Sequence, residues 1–198
     1  MLRVLVVHDE ALLRSALVQL LRSDDALEVT SMSPRADMPD HDVLPRDVCV
    51  VDGDCLQGPG DERDGCFQAG CEDRLVVLTT PDRPGVLHRA FEAGALGLVG
   101  KNAPAQRLIT AVHTVAAGER FLDETLTVAL LEGAEMPLTT RELSVLSLAA
   151  QGAPMAEIAA RLHLSRGTVR NYMATAIRKV GARNRVDAIR IVQSAGWT

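Results

Sequence analysis

The sequence predicts an α/β domain built on a parallel sheet, followed by a smaller domain made only of helices. Over the first part of the chain, short apolar runs alternate with amphipathic helical patterns, and after Pro137 the pattern is wholly helical. The charge divides at the same place. Residues 138–198 hold nine basic and three acidic side chains, a charge of +6, which leaves −11 on the rest of a chain whose net charge is −5. This segregation indicates a module for polyanions joined to a module with another task.

Five apolar runs are predicted to be the strands of the sheet. Because they are continuous rather than alternating, they are typical of parallel strands that are buried on both faces. The runs are RVLVV, LEVTSM, DVCVV, RLVVL and LGLV. Helices are predicted after the first run and near 84–94 and 104–117. The segment SPRADMPDHDVLPR (33–46) has three prolines, which predicts a shortened or irregular second crossover.

The first strand ends in an unusual polar group. In LVVHDEALLRS the apolar run is followed by His8, Asp9 and Glu10. Chemistry in open parallel sheets gathers at the carboxyl ends of the strands, and an acidic pair there commonly holds a divalent metal. A histidine at the first position after the strand, where the pair would place an acid, therefore weakens the case for a metal site, because magnesium favours oxygen ligands.

Several classes of protein are not favoured by the sequence. No apolar run reaches the roughly 18–20 residues that span a bilayer, and the N-terminus lacks a signal-peptide pattern. We therefore expect a cytoplasmic protein without a membrane partner. The four cysteines lack CxxC spacing, so we expect reduced thiols rather than a zinc site or a disulfide framework.

Cap residues predict four helices after a linker at 122–137, which itself has some helical character around Leu126–Leu131. Thr139 and Glu142 form a capping box for the first of the four, and Gly152 follows its end. The other three are predicted to begin at Pro154, Ser165 and Asn184. The turn HLS before the third helix is as short as a helix-turn-helix requires.

The third of these helices is the candidate nucleic-acid interface. Its predicted buried stripe consists of Val169, Tyr172, Met173, Ala176, Ile177 and Val180. The opposite face aligns Arg166, Arg170, Ala174 and Arg178, with Asn171 beside them. Such side chains can contact guanine, adenine or a thymine methyl in the major groove. Lys179, Arg183 and Arg185 near the helix end suit phosphates. A solvated basic helix without a nucleic-acid ligand is the competing interpretation.

The segment LTTRELSVLSLAAQGAPMAEIAARLHLSRGTVRNYMATAIRKVGARNRVDAIRI resembles the LuxR/GerE-type helix-turn-helix of NarL/FixJ response regulators. The resemblance is carried by LTxRE, EIAxxL, LSxGTVRN and NRxxA, and the ending SAGWT is similar to the DesR-like branch. It implies that Arg170 and Asn171 face bases, that Thr168 and Lys179 lie at phosphates, and that a homodimer binds paired half-sites of double-stranded DNA. The candidate DNA-binding residues are Ser165, Arg166, Thr168, Arg170, Asn171, Ala174, Arg178, Lys179 and Arg185. The implied dimerisation residues are Val186, Ile189 and Val192.

Residues 1–121 resemble the receiver domain of the same family, which implies a flavodoxin-like, five-stranded parallel sheet. On that resemblance the receiver pocket is formed by His8, Asp9, Asp52, Thr79 and Lys101. Asp52 is the implied phosphoacceptor for a sensor histidine kinase, Lys101 pairs with the phosphoryl charge, and Thr79 senses its oxygens. Asp9 and Asp52 would hold magnesium. The implied domains are the receiver at 1–121, the linker at 122–137 and the helix-turn-helix domain at 138–198.

The receiver departs from the family pattern in four places. His8 replaces the first acid, Thr80 replaces a small residue, Leu98 replaces a switch aromatic, and GDCLQGPGDERDG after Asp52 lacks the usual hydrophobe-Pro. We therefore expect a weak magnesium site, impaired phosphorylation, and a receiver that controls dimerisation or binds a small ligand at its strand ends. An ordinary regulator activated through Asp52 is the alternative. A magnesium phosphohydrolase is a remote one, and no enzyme is expected.

Overall fold

Six parallel strands form one sheet in the computed structural model, which describes residues 1–34, 46–56, 74–131 and 136–197. Their order across the sheet is β2-β1-β3-β4-β5-β6. The strands are β1 (Leu2–Val7), β2 (Leu27–Met32), β3 (Val48–Asp52), β4 (Leu75–Thr79), β5 (Gly97–Gly100) and β6 (Phe121–Leu122). The predicted fold class is confirmed, with one addition: β6, which is only two residues long, pairs with β5 and makes the sheet six-stranded rather than five-stranded.

Helices cover both faces of this sheet. They are α1 (Ala11–Leu21), α2 (Pro84–Glu92), α3 (Ala105–Ala116) and α4 (Glu124–Leu131). Side chains of α1 and α3 share one apolar core with the sheet, and side chains of α2 and α4 share another. This division follows from the strand sequences, whose successive residues point to opposite faces and are apolar on both. Most of the irregular crossover predicted at 33–46 lies outside the described residues.

The predicted linker begins too early. Leu126 of α4 is fully buried in the core on the second face of the sheet, and β6 adds residues 121 and 122 to the sheet itself. Contacts between residues divide the chain into two compact units, the first of which holds most residues up to Gly133. The segment at 122–131 is therefore part of the sheet unit, and only the following residues connect it to the second.

The second unit is the predicted set of four helices. They are α5 (Thr140–Ala150), α6 (Met155–Arg161), α7 (Arg166–Lys179) and α8 (Arg185–Ser194). The capping box of Thr139 and Glu142 is present, and Ser165 and Asn184 cap α7 and α8 through their side chains. Gly152 follows α5 at φ +86°, a left-handed conformation that favours glycine. Val145, Ile158 and Val169 are fully buried in the core that the four helices share.

Two further expectations concern the whole chain. Within the described ranges, no helix combines the length and the apolar character needed to cross a membrane. Cys49 and Cys55 are buried thiols, not joined in a disulfide, and the other two cysteines lie outside the described residues.

Candidate functional site

The outer face of α7 presents the predicted base-reading side chains to solvent. Arg166, Arg170, Asn171, Ala174 and Arg178 are all exposed. The opposite stripe is buried as the periodicity predicts, with its most enclosed members being Val169, Met173 and Ala176. The helix is therefore fixed to the core by one face and offers a continuous polar, cationic face on the other.

The start of α7 is held by its own side chains. The Ser165 hydroxyl accepts the backbone N–H of Thr168 at 3.0 Å, and the two hydroxyl oxygens lie 2.8 Å apart. Ser165 thus caps the N-terminal end of the helix, where unpaired N–H groups favour an anion. Both residues belong to the predicted DNA-binding set, and their hydrogen bonds give each a capping role that does not require DNA.

Two cations predicted at phosphates have partners inside the protein. The Lys179 ammonium lies 2.7 Å from the Glu142 carboxylate, which is buried. Burial by itself raises the pKa of Glu142, but hydrogen bonds from Lys179 and Thr139 outweigh it and hold the pKa below its usual value. The Arg185 guanidinium donates to the carbonyls of Ala149 and Ala153 at 3.2 and 3.1 Å, so it closes the end of α5. Sequence reasoning missed both of these structural roles.

The predicted dimerisation residues of α8 do not share one surface. Val192 is 2% exposed and belongs to the core, and Ile189 is packed against that core, whereas Val186 is 74% exposed. The prediction is therefore wrong for Val192, because its position in the helix turns it towards α5 and the other helices of the unit. Of the three, Val186 is the most exposed.

The register of the sheet brings the receiver residues together at its carboxyl edge. Val7 pairs with Val51 and Thr79 with Gly100, so the residues that end or follow these strands meet. His8 and Asp52 are 4% and 3% exposed, and Thr79 is also buried. The five predicted pocket residues thus come from four neighbouring strand ends.

His8 lies directly against the acceptor carboxylate. Its Nδ1 accepts the backbone N–H of Glu10 at 3.0 Å, and its Nε2 lies 3.1 Å from Oδ2 of Asp52. Because the Asp52 carboxylate is an acceptor, the Nε2 proton faces it, and Nδ1 also lies 3.3 Å from Oδ1 of Asp9. The carbonyl of His8 also accepts Nη1 of Arg14 at 2.6 Å, a contact that the sequence did not indicate.

Lys101 occupies the other side of Asp52. Its ammonium lies 2.9 and 2.8 Å from the two carboxylate oxygens and 3.1 Å from Oδ2 of Asp54. Burial lowers the pKa of Lys101, but the hydrogen bonds and charges of Asp52 and Asp54 outweigh it and raise the pKa above its ordinary value. The backbone N–H of Asp54 adds a third donor group to Asp52 at 2.8 Å. Both oxygens of the acceptor carboxylate are therefore engaged.

The donor set fits a magnesium ion poorly. Magnesium prefers oxygen ligands and near-ideal octahedral geometry. The carboxyl edge of the sheet offers the His8 imidazole, the engaged carboxylate of Asp52, and Asp9, whose side chain is about half exposed. Oδ1 of Asp9 accepts the backbone N–H of Glu10 at 2.9 Å. Among the described residues there is no group of three or more His, Cys, Asp or Glu side chains arranged to hold a metal.

Other proteins share the features of both units. The sequence profile of the family described as bacterial regulatory proteins, LuxR family, matches residues 136–192. The chain is 77% identical to the response regulator RamR of Streptomyces coelicolor, over the whole chain and 98% of that protein. It is 34% identical to the transcriptional regulatory protein DesR of Bacillus subtilis, over the whole chain and 99% of that protein.

Solved structures show the same architecture. The response regulator ChrA of a heme-sensing two-component system aligns over the whole chain and 98% of that protein, with 27% identity and a TM-score of 0.50. A structure of two RcsB dimers bound to two parallel DNAs aligns over 98% of both chains, with 21% identity and a TM-score of 0.58. The second likeness concerns the fold alone.

Proposed function

This chain belongs to the LuxR family of DNA-binding response regulators, and from that premise we propose that its receiver controls transcription without conventional phosphorylation of Asp52. The relatives RamR and DesR are named as regulators, so the magnesium phosphohydrolase is not favoured. The proposal concerns the role of the acidic side chains Asp9 and Asp52 at the carboxyl edge of the sheet. It is supported by the surroundings of Asp52 rather than by any departure from the family pattern taken alone.

The contact between His8 and Asp52 carries the proposal. A carboxylate that attacks phosphorus needs an accessible oxygen and a cation that neutralises the incoming phosphoryl group. Here the imidazole N–H lies 3.1 Å from one oxygen of Asp52, and both oxygens also contact Lys101. The imidazole takes the place of an acid and adds no negative charge for magnesium. These contacts therefore stabilise Asp52 in its unphosphorylated form.

Control of dimerisation is the task we propose for the receiver. RcsB, which has the same fold, is described as dimers on DNA, and a dimer of this chain would present two copies of α7 to paired half-sites. Val186 on α8 is exposed and available to a second copy. We propose that Arg166, Arg170, Asn171, Ala174 and Arg178 face the major groove, because they share the exposed face of α7.

The alternative, a regulator switched by phosphorylation, is favoured by one observation. Asp52, Thr79 and Lys101 meet at the carboxyl edge, with the Lys101 ammonium 2.8 Å from the acceptor. These are the parts that a receiver needs apart from its metal. The two proposals therefore differ in whether acetyl phosphate changes DNA binding.

A gel shift on a duplex selected from a random library tests the proposal. We expect the same affinity with and without acetyl phosphate and magnesium, and an Arg170→Ala loss of about 1–3 kcal/mol on the selected duplex but not on a scrambled one. A large gain in affinity on addition of acetyl phosphate, abolished by Asp52→Asn, would establish the alternative. Equal losses for Arg170→Ala on both duplexes would remove its base-reading role.

A further inference from the structure

A cavity of about 350 Å³ lies inside the sheet unit, at the carboxyl edge of the strands. Its volume is in the lower range of small-molecule pockets. Side chains of α1 and α3 line it, together with β5 and the strand ends, and of these Leu13 and Ala16 of α1 are exposed to solvent. Its apolar wall consists of Leu13, Leu17, Leu20, Val99 and Leu108. A wall of this kind accepts an apolar body, which water does not solvate well.

The other end of the cavity is polar and has an excess of negative charge. Its ionisable members are His8, Asp9, Glu10, Asp52, Asp54 and Lys101. The ammonium of Lys101 is shared by Asp52 and Asp54, and the His8 imidazole lies between the carboxylates of Asp52 and Asp9. Four carboxylates therefore share one ammonium and one imidazole, and an added positive charge is favoured there over a negative one.

Asp9 is the carboxylate best placed to receive that charge. Its side chain is about half exposed, and its Oδ1 accepts the backbone N–H of Glu10 and lies 3.3 Å from Nδ1 of His8. Asp52, by contrast, is buried and already receives Lys101, the Asp54 N–H and the His8 contact. A protonated amine can thus approach the exposed side of Asp9 without displacing the contacts of Asp52.

We infer that this cavity binds a small amphipathic amine, with its apolar body among the leucines of α1 and α3 and its ammonium group against Asp9. This ligand site goes beyond the proposed function, which concerns phosphorylation and DNA. It also gives the unmodified receiver a chemical signal to which it can respond. The site can be measured by binding alone, so its failure and the failure of the proposed function are distinguishable.

Titration calorimetry on the full chain with decylamine, decanoate and decan-1-ol tests the inference. We expect decylamine to bind with one site per chain and at least about tenfold more tightly than decanoate, because the two differ in the charge of the head group. Asp9→Asn should remove most of that preference. Asp25→Asn is the control, because Asp25 is an exposed carboxylate between α1 and β2 that does not line the cavity, and it should leave the preference unchanged. Equal binding of decylamine and decanoate would overturn the inference.

A matched pair of tryptophan variants tests the location. Ala16 lines the cavity, whereas its neighbour Ser15 does not, and both are exposed positions of α1. Ala16→Trp should weaken decylamine binding about tenfold or more, and Ser15→Trp should change it less than about twofold. Unchanged binding in both variants would place the amine elsewhere and overturn the inference.

A second copy of the chain is the competing occupant of the leucine wall. If sedimentation showed that Ala16→Trp abolishes a dimer while the wild-type chain binds no decylamine, the cavity would be a dimer contact and the inference would fall. Labelling by acetyl phosphate is a separate readout. A chain that is not labelled and binds no amine would keep the proposed function and lose only this ligand site.

Discussion

At the residue scale, a histidine after β1 changes how the carboxyl edge of the sheet can bind a metal and how it contacts Asp52. A carboxylate at this position would add negative charge for a metal, whereas the His8 imidazole directs its N–H at Asp52 from 3.1 Å. The backbone N–H of Glu10 fixes the ring by donating to Nδ1. Motif comparison identified the substitution, but the contact depends on the ring orientation, which the sequence does not specify.

Lys179 gives a prediction at the same scale. Lys179→Ala removes the cation 2.7 Å from the buried Glu142 carboxylate, and a buried charged group without its partner costs about 1–3 kcal/mol of stability. Arg178→Ala is the matched control, because Arg178 is exposed on the outer face of α7. Chemical denaturation should show the loss for Lys179→Ala alone. Equal stability of the two variants would show that the ion pair contributes little.

At the scale of the elements, helix caps and apolar periodicity were sufficient to locate most of the fold. Thr139, Ser165 and Asn184 cap the helices that they were predicted to cap. The two-residue strand β6 was missed because so short a run has no periodicity. Helix α4 was assigned to the linker because its burial depends on the sheet face beneath it, and this is a tertiary property.

Helix α8 contains a matched pair of valines that separates dimerisation from stability. Val186→Asp should leave folding intact and weaken dimerisation on DNA, because Val186 is 74% exposed. Val192→Ala should cost about 1 kcal/mol or more of stability, because Val192 belongs to the core. Sedimentation on a two-half-site duplex and thermal unfolding provide the two readouts. A folded Val186→Asp chain that still dimerises on DNA would exclude this face of α8.

The junction of β1 with the start of β3 predicts a pH dependence. The Arg3 guanidinium and backbone N–H donate to Asp47 and hold the pKa of that carboxyl at about 2, below the ordinary 3.8. Because the folded pKa is lowered, this pair stabilises the fold above about pH 4 and stops doing so as the pH falls towards 2. Thermal unfolding should therefore depend less steeply on pH in Asp47→Asn than in the wild-type chain. Parallel pH profiles would contradict this assignment.

At the scale of the whole molecule, the charge split of the sequence corresponds to two units with different chemistry. The sheet unit gathers carboxylates at its strand ends, and the helical unit presents arginines on one face of α7. Composition and motifs predicted this division and the family. They could not predict which cations are already paired inside the protein, because Lys179 and Glu142 are far apart in sequence and meet only when α5 packs against α7.

Labelling with radioactive acetyl phosphate and magnesium tests the central claim most directly, with wild-type, His8→Asp and Asp52→Asn chains compared side by side. On the proposed function, in which the imidazole holds Asp52 in its unmodified form, the wild-type chain should take up no more label than Asp52→Asn. His8→Asp, which restores the acid, should take up label that a second Asp52→Asn substitution removes. Label on the wild-type chain that depends on magnesium and is lost in Asp52→Asn would contradict the account.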